Sequence, residues 1–575
     1  MSVFDKEDRK FFKTIIILIV LLVISLSYLV YDRSFSYDRY ERVEFQSAGA
    51  TLYANLYYPT KNLGFQDQRP LVIYCHGIGS QRDFDLRIPI ELSKRGFYVA
   101  ALDYQGHGES GGNIVNIDRI TNKPALAQDC SKLLDRLETL PFYSNVNTSQ
   151  IGLIGHSLGG FVVLMNQALD PRFNVTVAWA PLVNFDPQII PIIPSGYDEY
   201  IPVNLLNTTN TNNLLIIMHV DDEVIAFEDQ AIVAQSLTGC TLFNITRPLI
   251  GGGHQLFSDV VIIESIKWFE NYFFNSINGP INITFLVNYV IVFITLMLLI
   301  LIVLSLTIYT SKFFQYKKEV LEKPLPKIQG RLSKIKDRAI RIKKILQIIL
   351  YTTLFLLNWE IFERAFGLRG IFLASLNITA IYFIAKFIIY LRKLKEQQVK
   401  FTIKQIIAML KSEFQQKYIF YALICNVYFI TIYLIFSYFY PFAFMWPSNF
   451  FDTLLAAAVA FPVYFSLELL YRKVIHPLLN FIKDERKKSL LIIGIAIYIH
   501  VNLMTLTWSW AFFPSVMFMY LIFLYAIVQN TLIYEKTQRF STVILSSFVI
   551  VQLFFAAVIS NAIGIGAVLH LFVSI

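Results

Sequence analysis

The run Ile151-Gly-Leu-Ile-Gly155-His-Ser157-Leu-Gly159-Gly160 decides how the residues around it are read. A short apolar segment breaks into Gly-x-Ser-x-Gly and then resumes as Phe161-Val-Val-Leu-Met165, which suits a helix. This is the pattern of a sharp strand-to-helix turn that lifts a serine hydroxyl clear of the backbone. Gly155 and Gly159 flank Ser157 because side chains two residues either way would collide in so tight a turn, and the serine itself is forced into a strained conformation. About 0.2 such motifs are expected by chance in a chain this long, so neighbouring landmarks decide whether Ser157 is a nucleophile.

The chain is 575 residues long, 55% hydrophobic and only 16% charged, with a mean hydropathy of +0.52. That is too apolar for a soluble globular protein of this size and implies extensive membrane embedding. The net charge of +9 lies mostly in loops between apolar segments, where the positive-inside rule accounts for it without nucleic acid. Cys75, Cys130, Cys240 and Cys425 have neither metal-ligand spacing nor a disulfide-rich pattern. Cys130 and Cys240 could pair in an oxidising compartment; buried free thiols are the simpler reading. No HExxH motif or Cys/His cluster is present, so no metal and no cofactor is expected.

Residues 1–13 form a charged, cytoplasmic N-terminus and Thr14 to Val30 is an apolar run of about the minimum spanning length, followed by bulky residues rather than a cleavage site. A retained signal anchor over 14–30 is therefore expected. From 40 to 274 the composition becomes that of a soluble α/β domain. Glu41 to Phe45 and Thr51 to Tyr58 read as a hairpin. Leu71–Cys75, Phe97–Leu102, Val175–Trp179, Leu214–Met218 and Thr241–Ile245 read as strands, with an amphipathic helix over Pro89 to Arg95 and another over Ala125 to Leu140. Short apolar strands alternating with helices imply a mostly parallel sheet with right-handed crossovers.

After Ile283 the chain returns to the membrane. A span at 284–309 precedes a loop at 310–345, and a multispan domain of about seven helices fills 346–575. Its apolar segments fall near 346–366, 370–391, 418–440, 453–471, 489–507, 513–533 and 541–559, with a possible short one near 562–574. The loop from Ser311 to Lys344 carries twelve Lys and Arg against three acids, which predicts a cytoplasmic location. Arg392–Lys417 and Arg472–Lys488 are also basic and fall on the same side. The soluble domain, one span earlier, is then extracellular or lumenal. Its sequons at Asn147, Asn174, Asn207, Asn244 and Asn282 permit that side.

A serine hydroxyl needs a base, a group that orients the base, and donors for the developing oxyanion. Candidates occur in the chain order Ser, Asp, His. Met218-His-Val-Asp221-Asp222-Glu-Val224 follows the second strand after the serine turn and offers Asp222 in preference to Asp221. Gly253-His254-Gln255 lies on a turn after the last strand and offers His254 as the base. The backbone N–H groups of Ile78, beyond His76-Gly77, and of Leu158 are the expected oxyanion donors.

On these landmarks residues 40–274 resemble the alpha/beta-hydrolase superfamily. His76-Gly77, Asp103-Tyr-Gln-Gly-His-Gly-Glu-Ser110, Gly155-His-Ser-Leu-Gly159, Asp222 and His254 resemble the branch that holds monoglyceride lipases, lysophospholipases and serine aminopeptidase-like proteins. The resemblance implies an α/β fold with helices on both sheet faces, a Ser-Asp-His triad, an acyl-enzyme and no cofactor. It also implies that the insertion 182–213, with Ile189-Ile-Pro191-Ile-Ile-Pro194, forms a lid, whose apolar character would suit acyl or lipid substrates; a packed surface loop is the alternative. Gly106-His-Gly108-Glu-Ser-Gly111 matches a dinucleotide fingerprint, but no helix clearly opens there and the hydrolase reading explains it as a loop beside the site. His107 and His156 read as structural, because neither lies where a base is expected.

In the membrane half, Asn358, Glu360, Glu363 and Arg364 sit near the outer end of one span, and Glu468 and Arg472 form an i,i+4 pair near the cytoplasmic end of another. Leu467-Glu468-Leu-Leu-Tyr-Arg472 and His500 faintly resemble the CAAX prenyl protease family. That family's first paired glutamate is Leu467 here, and no matching later His precedes an Asn, so the membrane half is expected to be an inactive relative or a plain helical bundle. The expected function is a membrane-anchored serine hydrolase acting on a lipid or other acyl ester, with two alternatives. One is a peptidase using the same triad. The other is a transporter or receptor whose hydrolase-like domain is non-catalytic.

Overall fold

The computed structural model describes residues 6–61, 68–78, 80–82, 85–249, 252–314, 331–366, 368–439, 461–506 and 514–550. Helix α1 (Lys6–Ser36) leads into an eight-stranded sheet. Its strands are β1 (Tyr40–Ser47), β2 (Ala50–Tyr57), β3 (Arg69–Cys75), β4 (Tyr98–Asp103), β5 (Val146–His156), β6 (Val175–Trp179), β7 (Leu214–His219) and β8 (Thr241–Ile245). The spatial order is β1-β2-β4-β3-β5-β6-β7-β8. Only β2 runs against its neighbours, and every other pair from β4 to β8 is parallel.

Local chemistry explains these elements. The β1–β2 turn places Ala48 and Gly49 at φ 46° and 78°, the left-handed geometry of a tight two-residue hairpin. Every residue of β3, β4, β6 and β7 is buried, as parallel strands covered on both faces should be, and their continuous apolar runs follow from that. The helices α3 (Asp129–Glu138), α4 (Leu158–Leu169), α5 (Val233–Thr238) and α6 (Asp259–Phe274) complete the crossovers together with α2 (Arg87–Ser93). At Gly152 an added Cβ would sit 2.7 Å from the Phe269 ring, so α6 rests directly on β5.

Two expectations need correction. The helix expected over Pro89 to Arg95 starts at Arg87 and is buried on nearly every side, with Glu91 and Arg87 among its buried residues; a membrane helix and a loop cover the face that should have been wet. The helix expected over Ala125 to Leu140 is a 3-10 turn at Ala125–Ala127 followed by α3. All four cysteines are free and buried, the simpler of the two readings, and the sulfur beside Cys130 is that of Cys75, at 3.5 Å. In the insertion 182–213, Ile192, Ile193, Ile201 and Leu206 pack into the domain's core, while Ile189 stays exposed.

After the domain, α7 (Phe285–Ser311) returns alongside α1. The two are antiparallel: Asn288 donates to Asp32 at 2.6 Å at one end, and Phe11 stacks on Tyr309 while Lys312 pairs with Asp8 at the other. Among the described residues, four helices are long and apolar enough to cross a membrane: Asp8–Ser36, Phe285–Ser311, Arg338–Ala365 and Phe372–Glu396. Further helices follow at Gln416–Phe439, 461–478, Glu485–Leu506, Pro514–Thr537 and Phe540–Ile550. This is a multi-pass membrane architecture behind an anchor-like first helix. The short segment expected near 562–574 lies outside the described residues, as do 315–330 of the basic loop. The basic stretch Arg392–Lys417 contains a helix, Ile403–Glu413, opened by a capping box of Thr402 and Gln405.

Candidate active site

Strand β5 ends at His156, and the backbone turns at Ser157 with φ 53° and ψ −116° before α4 opens at Leu158. A non-glycine residue rarely holds such angles unless its surroundings impose them. Here they do: the Ser157 N–H donates to the Trp179 carbonyl at 2.8 Å, and the Ser157 carbonyl receives the Phe161 N–H at 3.0 Å. A Cβ on Gly155 would lie 2.2 Å from the Gly159 carbonyl oxygen. On Gly159 it would lie 2.2 Å from that of Cys75 and 2.4 Å from that of His76, at the end of β3. The two glycines are thus required for different reasons, one by the turn itself and the other by the neighbouring strand.

The three groups picked out along the chain meet at the ends of β5, β7 and β8. His254 Nε2 lies 3.0 Å from Ser157 Oγ. His254 Nδ1 lies 2.8 and 3.0 Å from the two Asp222 oxygens. With Asp222 ionised, Nδ1 carries the proton and Nε2 is left as an acceptor for the serine O–H. Burial works to raise the Asp222 carboxyl, but hydrogen bonds from His254, Ile225 and Val224 outweigh it and hold it below the usual carboxylate range. Asp221 is exposed and takes no part in the relay; its backbone N–H donates to His219 Nδ1.

Leu158 is the first residue of α4, so its N–H belongs to the helix-terminal amides that lack an intrahelical acceptor. Ile78 follows Gly77 just past the end of β3, and Gly77 is kept small by His156, whose Nδ1 would be 3.0 Å from an added Cβ. His156 has a role in the site beyond the structural one expected. Its Nε2–H donates to the His254 carbonyl at 2.8 Å. Burial and the nearby His254 and Arg87 push its pKa down to about 3, so it stays neutral and keeps that proton.

Two further residues grip the His254 loop. Glu223 accepts the N–H groups of Gly253 at 2.8 Å and His254 at 3.2 Å. Arg87 donates through Nη1 to the carbonyls of Leu256 at 3.0 Å and Gln255 at 3.3 Å, and its guanidinium lies over the rings of Trp179 and Phe257. Glu223 adjoins Asp222 in sequence and could have been suspected; Arg87 carried no signal.

Behind the site, Asp103 binds Arg82 through both backbone and side chain, and Arg82 also pairs with Glu109. Burial opposes ionisation of Asp103, yet Arg82 and His76 bring its pKa down to about 2. The Gly106–Gly111 segment closes on this carboxylate as a loop, with Glu109 N–H on Asp103 and Gly106 N–H on the Gly111 carbonyl, and no helix opens from it. The dinucleotide reading has no structural basis there.

The family described as serine aminopeptidase, S33, matches residues 66–226, from β3 to just past Asp222. The soluble domain belongs to the alpha/beta-hydrolase superfamily. The hydrolase domain is 25% identical over 183 residues to the platelet-activating factor acetylhydrolase of Cavia porcellus, covering 24% of this chain and 41% of that protein. It is 26% identical over 130 residues to the monoacylglycerol lipase of Mycolicibacterium smegmatis, covering 22% and 43%. The chain thus spans about two-fifths of the length of these relatives. The esterase Pf2001 of Pyrococcus furiosus is similar at 19% identity and a TM-score of 0.32, covering 42% of this chain and 94% of that one. The alpha/beta-hydrolase assignment concerns the soluble domain and its fold.

Among the described residues, the charged groups of the membrane half do not gather into a comparable relay. Glu468 pairs with Arg472 at 2.9 Å and accepts from Asn530 at 2.9 Å, all three being buried. His500 Nδ1–H donates to the Ala496 carbonyl at 2.8 Å in its own helix. Near the other end, Arg364 pairs with Glu360, and Asn358 bridges to Ala374 and Asn377.

Proposed function

We propose that this chain is a membrane-anchored serine hydrolase that cleaves a carboxylic acyl ester by way of an acyl-enzyme on Ser157. One observation carries the reading: a continuous chain of contacts from Asp222 through His254 to Ser157, at 2.8 and 3.0 Å, ending on a serine in a strained turn. In the reaction, His254 Nε2 accepts the Ser157 proton as Oγ attacks the carbonyl carbon. The oxyanion that forms is met by the N–H groups of Leu158 and Ile78. His254 returns the proton to the leaving alcohol as the carbon–oxygen bond breaks. Water then repeats the sequence on the acyl-enzyme, giving the free acid and restoring Ser157. Asp222 holds the imidazole in its productive tautomer throughout.

The two relatives named for lipid-type ester cleavage and the membrane architecture support an acyl ester of lipid type. The basic loop after α7 supports an extracytoplasmic hydrolase domain. Labelling with a fluorophosphonate probe, wild type against Ser157→Ala, tests the proposal: labelling that depends on Ser157 is expected, and its absence would sink the reading. The family's description as a serine aminopeptidase keeps a peptidase in view. Turnover of aminoacyl amides above that of acyl esters would favour it.

A further inference from the structure

The direction in which α7 leaves the hydrolase domain says which end of that domain faces the bilayer. Helix α2 crosses over between the parallel strands β3 and β4, so it runs from their C-terminal ends, near Arg87, to their N-terminal ends, near Lys94. The first turn of α7 lies at the lower part of α2: Glu91 accepts the N–H groups of Thr284 and Phe285, both at 3.0 Å, and Lys94 reaches Thr284. One turn later Tyr289 packs on Phe257, at 5.5 Å between ring centres, and Phe257 lies under the Arg87 guanidinium. Helix α7 therefore climbs toward the C-terminal ends of the strands, where Ser157, Asp222 and His254 stand. Val292 is the last α7 residue in the domain's core, and Leu296 already belongs to a separate cluster with Leu22, Phe429 and Tyr525.

From Val292 to Lys312, whose ion pair with Asp8 marks the far end, about 30 Å of helix remains at ~1.5 Å per residue. That is about the thickness of a bilayer's hydrocarbon core. No length is left to hold the catalytic end away from the membrane surface. The loops on that end expose large apolar side chains in turn: Ile78 after β3 at 43%, Ile120 after β4 at 94%, Ile189 after β6 at 78% and Val224 after β7 at 63%. Asn122 and Tyr197 join the second of these loops to the third at 2.7 Å.

We infer that the catalytic rim of the hydrolase domain rests on the bilayer that α1 and α7 cross, with Ile78, Ile120, Ile189 and Val224 in the lipid interface, and that the substrate is an acyl ester resident in that leaflet. The substrate part rests on the serine-hydrolase reading; the orientation does not. The ester enters from the membrane, presenting its carbonyl to Ser157 while its acyl chain stays among the rim residues.

The test uses the full chain in phosphatidylcholine vesicles, with an environment-sensitive fluorophore on Ile189→Cys, Ile120→Cys or, as a control at the opposite end of the sheet, the exposed Ser149→Cys. Brominated lipid should quench the first two and spare the third. Equal behaviour at all three positions overturns the orientation. Fluorophosphonate labelling of the same vesicles reports Ser157 independently, so a labelled but unquenched protein loses only the orientation. A quenched but unlabelled one loses the hydrolase reading and with it the substrate. In the double variant Ile120→Asp, Ile189→Asp, turnover of a vesicle-embedded long-chain ester relative to a soluble short-chain ester should fall by about tenfold, the loss expected when apolar burial of ~1.5 kcal/mol is removed. An unchanged ratio overturns the assignment of a membrane-resident substrate.

Discussion

Asp222 and Glu223 hold the same histidine by different handles: Asp222 accepts the His254 imidazole N–H at 2.8 Å, and Glu223 accepts the His254 backbone N–H at 3.2 Å. Orientation of the ring and position of its loop are therefore set by consecutive residues of one turn. Glu223→Ala removes two charge-assisted hydrogen bonds, each worth about 1.5–3 kcal/mol, from a loop that must place Nε2 within reach of Ser157. A fall in kcat of about tenfold with little change in KM is expected. Glu223→Gln, which keeps an acceptor, should recover part of it. Steady-state kinetics on a chromogenic ester decide the matter.

Asp222 and Asp221 should separate sharply. Asp222→Asn leaves a side chain of the same shape but stabilises the wrong imidazole tautomer, and kcat should drop by about 10³–10⁴. Asp221→Asn, exposed and outside the relay, should stay within about twofold of wild type. Equal losses would reassign the acid.

Acid should weaken the domain in two stages. His156 and His107 are each pushed down to about 3, chiefly by burial, whereas an unfolded histidine titrates near ~6.5. Below that value the unfolded chain binds more protons than the folded one, so stability is lost as pH falls from about 6.5 toward 3. Asp103, held at about 2 despite its burial by Arg82 and His76, adds a second loss between about 4 and 2. His107→Phe, which keeps the ring contacts with Tyr104 and His76, should flatten the first stage. Thermal unfolding in detergent between pH 7 and 4 reads it.

The serine turn answers to sterics alone. Gly159→Ala drives a methyl group to 2.2 Å from the Cys75 carbonyl oxygen, a backbone atom of the central sheet that has no room to retreat. A loss of about 3 kcal/mol or more is expected, seen as a lowered unfolding temperature together with lost fluorophosphonate labelling.

Much of this was readable from the chain because the informative residues are local. Gly155, Ser157 and Gly159 specify a turn within five residues, and the apolar runs of β3, β4, β6 and β7 are buried on both faces, so each declares itself without knowledge of its neighbours. What stayed hidden depends on partners distant in sequence. The burial of α2 follows from Glu91 and Arg87 meeting Thr284 and Gln255, nearly two hundred residues away, and no periodicity within α2 carries that information. The closeness of Cys75 to Cys130 likewise follows from where β3 ends and α3 begins in space. Beyond the adjacency of Glu223 to Asp222, Glu223 and Arg87 show no signal as supports of the site because their hydrogen bonds to the His254 loop are with backbone atoms, which leave no pattern in the sequence.

Arg87 makes the most exacting of these supports. Its guanidinium is fixed by two-pronged contact with Asp85, lies over Trp179 and Phe257, and spends its remaining reach on the carbonyls of Gln255 and Leu256. Leu256 is fully buried at φ 48°, a conformation that costs about 1–3 kcal/mol and persists only where the surroundings impose it. Lysine keeps the charge but has neither the planar fork nor the stacking face. Arg87→Lys should therefore release the loop that carries His254, lowering kcat about tenfold with KM nearly unchanged, and should lower the unfolding temperature because Asp85 loses its bidentate partner. Because Phe257 in the same loop packs on Phe285 and Tyr289 of α7, the fall in kcat should be larger in detergent than in vesicles, where α7 is held by the bilayer. An Arg87→Lys enzyme with wild-type kcat in both would show that the loop keeps its shape without this residue.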